Sequence, residues 1–332
     1  MEIMKKIKSI IFSLLYLSSL STALAVDYTG VAVHPYTNNI PASQIVSLLN
    51  SYGINSIRTD YYWDWSEKEK GKYEVPNRKT EDLILEAANN NITTVIILNH
   101  GNKLYGDGLP RNETQIEAFS NYAAWVASKF KGKQYIFEIW NEWSRNKENK
   151  YNIFSAEEYV ELVKAVSKKI KAVNPEANII AGSFNIIGND RTWGEKIVRL
   201  GVLNYVNGLS IHPYSFMSNK DREPKNNIDS IYREQLVLKK IANRTEDIPL
   251  YITEVGYPST CKYPHLSEDT VGKYLYKYYS YANNFPNIKG IWWYDLINDG
   301  NDCQNNEHNF GLFRSDLESK PSAKYLKSLK NK

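Results

Sequence analysis

Two stretches decide the fold: YIFEIWNE at 135–142 and PLYITEVG at 249–256. Each is an apolar run rich in β-branched and aromatic residues, and each carries a carboxylate at or near its end, Glu142 and Glu254. Runs of this kind suit strands buried on both faces of a parallel sheet. Six more follow the same style, at 30–34, 56–60, 93–99, 178–183, 208–213 and 289–295. Helical spacing fills the intervals. In 41–52, Ile45, Val46, Leu48 and Leu49 form a stripe that Gly53 can end. Further helices are predicted over 112–131, from 156 to Asn174-Pro175, and over 191–200, 226–242, 267–283 and 321–330. Ser155 and Glu158 have the spacing of a capping box.

Repeated strand-then-helix units predict an α/β fold, a single-domain (β/α)8 TIM barrel over 26–332. An open doubly wound sheet is the competing architecture, but no G-x-G-x-x-G or P-loop follows the first strand. In a barrel the chemistry gathers where strands end. His34, Arg58 and Asp60, Asn99 and His100, Asn141 and Glu142, His212 and Tyr214, and Glu254 all fall there. Charges so close to a packed core are costly unless paired or used. The fourth and seventh strands face each other across a barrel mouth, so Glu142 and Glu254 can converge on one bond. Glycoside hydrolysis needs two such carboxyl groups. Glu138 sits on the same strand face as Glu142 but deeper, and reads as a buried structural carboxylate. The histidines can also be read as satisfying core hydrogen bonds. They come from separate strands without an H-E-x-x-H or clustered cysteine pattern, so no metal and no organic cofactor is expected.

The W-N-E at 140–142 and T-E-x-G at 253–256 resemble the strand-four and strand-seven motifs of clan A retaining glycoside hydrolases, in the style of family 39 and the family 5 cellulase-like enzymes. Exopolysaccharide-directed endo-acting members of family 39 are the best match in style. The resemblance implies Glu142 as acid/base and Glu254 as nucleophile. It also implies Asn141 on the sugar 2-hydroxyl, Arg58 and Tyr214 beside Glu254, Trp292 as a sugar platform, and His34 and His100 on ring hydroxyls. Physical logic adds that burial and the charge of Glu254 should raise the pKa of Glu142, while Arg58 keeps Glu254 ionised. Trp63, Trp143 and Tyr257 follow strand ends and are candidate cleft rings, as are Tyr61, Tyr62 and Trp65. Many stacking positions would favour cleavage inside a polysaccharide. A non-catalytic polysaccharide-binding protein and a transglycosylase remain as alternatives.

Composition bounds the rest. The chain has 332 residues with a formal net charge of +4, which does not suggest a nucleic-acid partner. Its 25 Tyr and 8 Trp provide rings that can stack on sugars or simply pack the core. Lys5, Lys6 and Lys8, the apolar run from Ile10 to Leu17, and Ala23-Leu24-Ala25 read as a signal peptide over 1–25. That predicts a secreted or periplasmic monomer acting on a polysaccharide or oligosaccharide. An uncleaved anchor is the alternative. Cys261 and Cys303 are the only two cysteines, and an exported chain would pair them. N-x-S/T sites occur at Asn91, Asn112 and Asn243.

Overall fold

Eight parallel strands pair in strict sequence order and close on themselves. They are β1 (Tyr28–Ala32), β2 (Ser56–Tyr62), β3 (Thr93–Asn99), β4 (Tyr135–Ile139), β5 (Asn178–Phe184), β6 (Gly208–Ile211), β7 (Leu250–Val255) and β8 (Ile288–Trp293). Closure is made by β1 against β8, with Tyr28 opposite Gly290 and Val31 opposite Trp293. This contact excludes the open doubly wound sheet. The computed structural model describes residues 26–329 apart from Asn38, Lys150, Tyr151 and Ile153. The predicted signal peptide lies outside the described residues.

A helix follows each strand: α1 (Ala42–Tyr52), α2 (Arg78–Asn89), α3 (Glu113–Lys129), α4 (Ser155–Val173), α5 (Arg191–Arg199), α6 (Pro224–Ile241), α7 (Glu268–Ala282) and α8 (Pro321–Leu329). In α1 the stripe Ile45, Val46 and Leu49 is buried, and Gly53 caps it at φ +73°. That left-handed conformation costs glycine little. Helix α2 is absent from the sequence reading. Leu83, Ile84 and Ala87 form its buried face, and the Asn77 side chain caps it by accepting from the Thr80 N–H.

The capping box predicted at Ser155 does not form. Ser155 is the first residue of α4, and its side chain makes no cap hydrogen bond. Its Oγ instead accepts from Trp193 Nε1 at 3.0 Å, and its carbonyl from Trp143 Nε1 at 2.9 Å. Glu158 is drawn away to Arg111 and Asn152. A capping box does occur on α3, where Asn112 and Gln115 exchange side-chain and backbone hydrogen bonds.

The barrel interior is filled, as expected of a packed core without a pore. Trp292 packs low in it with Val95, Ile136, Ile180 and Tyr251. Its indole donates to Ser56 Oγ at 3.0 Å. Gly30 makes room: a Cβ there would stand 2.3 Å from the Trp292 ring. The chemistry is therefore confined to the layer above, where the strands end.

Cys261 and Cys303 form a disulfide that ties the loop after β7 to the loop after β8 across a separation of 42 residues. The Cys261 N–H also donates to the Cys303 carbonyl at 3.0 Å. Closing a loop of this length stabilises by about 4 kcal/mol in the chain-entropy model. Replacing both cysteines with serine is expected to lower unfolding stability by up to about that amount. Urea unfolding of wild type and variant without reductant checks it, and an unchanged midpoint would refute it.

Candidate active site

Strand β4 stops at Ile139 because the backbone turns twice. Trp140 and Glu142 both adopt positive φ, +63° and +46°. For bulky residues each such conformation costs about 1–3 kcal/mol and persists only where the surroundings enforce it. The double turn brings Asn141 and Glu142 to the mouth. Opposite them, β7 delivers Glu254 where its register against β8 shifts between Ile252 and Val255. One oxygen from each carboxylate and one nitrogen of His212 all lie within 4.8 Å of one another.

Arg58 on β2 organises this layer. It is only 3% exposed. Its Nε donates to Glu138 Oε2 at 2.6 Å, Nη1 to Glu254 Oε1 at 2.6 Å and Nη2 to Asn141 Oδ1 at 2.9 Å. Because the Asn141 oxygen is taken, its amide N–H groups are left to face the cleft. Tyr214 donates to the other Glu254 oxygen at 2.9 Å. Burial and the neighbouring Glu254 push the Tyr214 phenol well up, so it remains a donor.

Glu138 is buried, as the sequence reading expects. Its Oε1 accepts from Ser183 at 2.7 Å, from Thr253 at 3.0 Å and from Ser210. Burial opposes its charge, but Arg58, His212 and the Ser210 hydroxyl outweigh that and lower its pKa. Thr253 spends its single proton on Glu138, so its oxygen accepts from His212 Nε2 at 3.1 Å. The other ring nitrogen, Nδ1, faces Glu142 Oε1 at 3.2 Å and Glu254 Oε2 at 3.8 Å. His212 and Glu142 thus have one proton position between them.

Glu142 departs from expectation. Burial pushes its carboxyl up, as anticipated, but the hydrogen bond and charge of His212 and the guanidinium of Arg145 pull it down to about 2. Arg145 Nη1 donates to Glu142 Oε1 at 3.0 Å. Glu142, His212 and Glu254 are also the described residues that could together ligate a metal. A cation there would compete with two guanidiniums already bound to the same carboxylates, which opposes it electrostatically.

These groups line a cleft of about 590 Å³. A family model described as Cellulase (glycosyl hydrolase family 5) matches residues 21–299. This chain belongs to that family.

As a family 5 member it is a glycosidase. It is also similar in structure to a family 39 glycoside hydrolase from Bacteroides cellulosilyticus WH2, with a TM-score of 0.75 and 27% identity over 93% of this chain. The chain spans 65% of that protein's length. The family 5 subfamily 18 protein of Streptomyces cattleya has a TM-score of 0.72 at 13% identity, covering 92% of this chain and 80% of its own. Xylanase 10B of Thermotoga maritima has a TM-score of 0.68 at 17% identity, covering 93% and 96%. These last two likenesses concern the fold. No curated protein matches the sequence.

Several rings predicted for the cleft of this family 5 barrel lie elsewhere. Trp292 is fully buried beneath the site and cannot serve as a platform. Strand alternation puts Tyr294 on the same face two residues higher, and Tyr294 lines the cleft in its place. Trp63 is buried against Phe119 and donates to Glu67. Trp143 is buried with its indole on Ser155. Tyr257 is buried and donates to the Arg222 carbonyl at 2.9 Å. Each follows a strand end but points into the helical layer, where its ring packs and its polar atom finds a partner.

His34 lines the cleft, with its ring edge-on to Tyr294 at 5.9 Å. His100 is exposed at the rim, 4.4 Å from the Tyr62 ring. Phe216, Phe310 and Glu307 complete the wall from long loops and carry no sequence signal. Burial and the nearby carboxylates Asp299, Glu254 and Glu142 raise the pKa of Glu307.

Two outcomes test this assignment of depth. Tyr294→Ala is expected to raise KM for an oligosaccharide at least tenfold, with little loss of stability. Trp292→Phe is expected to lower the unfolding midpoint with KM unchanged. The reverse pattern would place the platform at Trp292. Glu138→Ala is expected to destabilise by about 3–5 kcal/mol, because it breaks one of the two ion pairs of Arg58 and leaves Nε and the Ser183, Ser210 and Thr253 hydroxyls without their buried acceptor. Denaturant unfolding measures this, and a change below 1 kcal/mol in the same measurement would refute it.

Proposed function

We propose that this chain is a retaining β-glycoside hydrolase that cuts within polysaccharide chains, with Glu142 as acid/base and Glu254 as nucleophile. The spacing of the two carboxylates carries the reading. Oxygens within 4.8 Å of each other suit double displacement, which uses carboxyls about 5–5.5 Å apart. Inversion needs about 6.5–9.5 Å to admit a water between them.

In the first step a Glu254 oxygen bonds to the anomeric carbon while the glycosidic C–O bond breaks and Glu142 passes its proton to the leaving oxygen. In the second, Glu142 takes a proton from water as that water's oxygen displaces Glu254. Arg58 and Tyr214 hold Glu254 in place and aim it. The free amide of Asn141 is placed for the sugar 2-hydroxyl, and Tyr294 and His34 for the ring. A second hollow of about 530 Å³ shares His34 and continues past β1 and β8. The rings of Tyr36, Tyr62 and Trp65 touch one another after β1 and β2, beside His34. A trough of this extent favours chain cleavage over trimming of ends. The predicted signal peptide and the disulfide support export, and no described helix is long and apolar enough to cross a membrane.

A polysaccharide panel read by product length and by NMR of the newly formed anomer tests the proposal. Wild type is expected to release mixed oligosaccharides with retained configuration and to keep its activity in EDTA. Glu142→Gln is expected to lose about 10²–10⁴-fold in turnover. Glu254→Gln should lose all measurable hydrolysis while still binding sugar. Inverted product, or hydrolysis by both variants at the wild-type rate, would overturn the assignment.

A further inference from the structure

The free site holds its acid in the wrong state for the first step. Arg145 donates to Glu142 and His212 shares its one proton position, and both hold Glu142 as a carboxylate, so opening the Arg145–Glu142 pair favours its acid form. Two cations line the cleft, and they differ in availability. Arg58 is buried and all three of its nitrogens are committed. Arg145 is 51% exposed on the single turn Trp143–Arg145, and its other acidic neighbour, Asp190, is no nearer than 4.0 Å. It projects from the loop after β4, on the acid's side of the cleft, whereas Glu254, Tyr214 and Tyr294 come from β6 to β8. The acid's side is where the departing sugar lies.

We propose that Arg145 binds the carboxylate of a hexuronic acid on the departing side of the cleaved bond, and that its transfer from Glu142 to the substrate releases Glu142 to act as an acid. This rests on the reading of Glu142 as acid/base. The exchange swaps one carboxylate partner for another, so the guanidinium is never left unpaired, and its planar fork suits either. Once Arg145 moves, Glu142 faces His212 from β6 and three carboxylates, Asp190 after β5, Glu254 on β7 and Glu307 after β8. Those three charges favour uptake of a proton from solvent. The proton then goes to the glycosidic oxygen as the C–O bond breaks. The same carboxylates, with Asp60, repel an anion elsewhere in the cleft, so the acidic sugar is confined to one register.

The experiment compares β-linked polysaccharides containing hexuronic acid with the same polymers after chemical reduction of their carboxyls to hydroxymethyl groups. Wild type is expected to favour the acidic form by about 10–100-fold in kcat/KM, the range of one charge-assisted contact. Its activity on acidic polymer should also extend to higher pH than on the reduced one. Arg145→Gln should erase the preference and shift the alkaline limb on reduced polymer upward, since one of the two groups that hold Glu142 ionised is gone. Arg145→Lys should retain part of the preference, which separates loss of charge from loss of fold. Equal turnover of both forms by wild type, turnover of neither, or an unchanged preference in Arg145→Gln overturns the proposal. Failure of the acid assignment would show separately, as undiminished turnover of both polymers by Glu142→Gln.

Discussion

The site depends on one buried guanidinium. Arg58 touches β4 through Glu138, β7 through Glu254 and the turn after β4 through Asn141, and so fixes the relative position of the two carboxylates. A charge this deep costs several kcal/mol to desolvate and persists only with such partners. Glu138 supplies the compensation. It is held in turn by three hydroxyls from β5, β6 and β7. The polar layer is therefore one connected network of hydrogen bonds laid over an apolar barrel floor that holds Trp292.

The same network gives the two carboxylates of the mouth different partners. Thr253 connects Glu138 to His212, and His212 connects that chain to Glu142. Glu254 sits between Arg58 and Tyr214 and accepts a hydrogen bond from each. Two carboxylates within one small space thus receive different surroundings. One is locked to the floor of the site; the other lies at the edge, paired with a mobile-length side chain that solvent and ligands reach. That asymmetry is what separate roles require.

The strained turn at Trp140 and Glu142 belongs to the same design. Ordinary strand geometry would carry the β4 side chains on alternately. Two positive-φ residues instead turn Asn141 onto Arg58 and Glu142 onto His212. Folding energy from the barrel is drawn on to hold geometry at the reacting centre.

Local sequence determined the barrel and the carboxylates. An apolar period, a helix stripe and a charge at the end of a buried run are properties of single segments, so the strands, every helix but α2, and the pair Glu142 and Glu254 were legible before any contact was known. Glu138 was legible as structural for the same reason, since alternation reports depth within one strand. Tertiary structure alone decided the rest. It put Tyr294 rather than Trp292 at the mouth, sent Trp63, Trp143 and Tyr257 into the helical layer, and took Ser155 from its cap to bind two indoles. It also set His212 and Arg145 on Glu142, which together reversed the direction expected for that carboxyl. Each of these depends on register between strands and on where loops from distant segments meet, and no single segment carries that information.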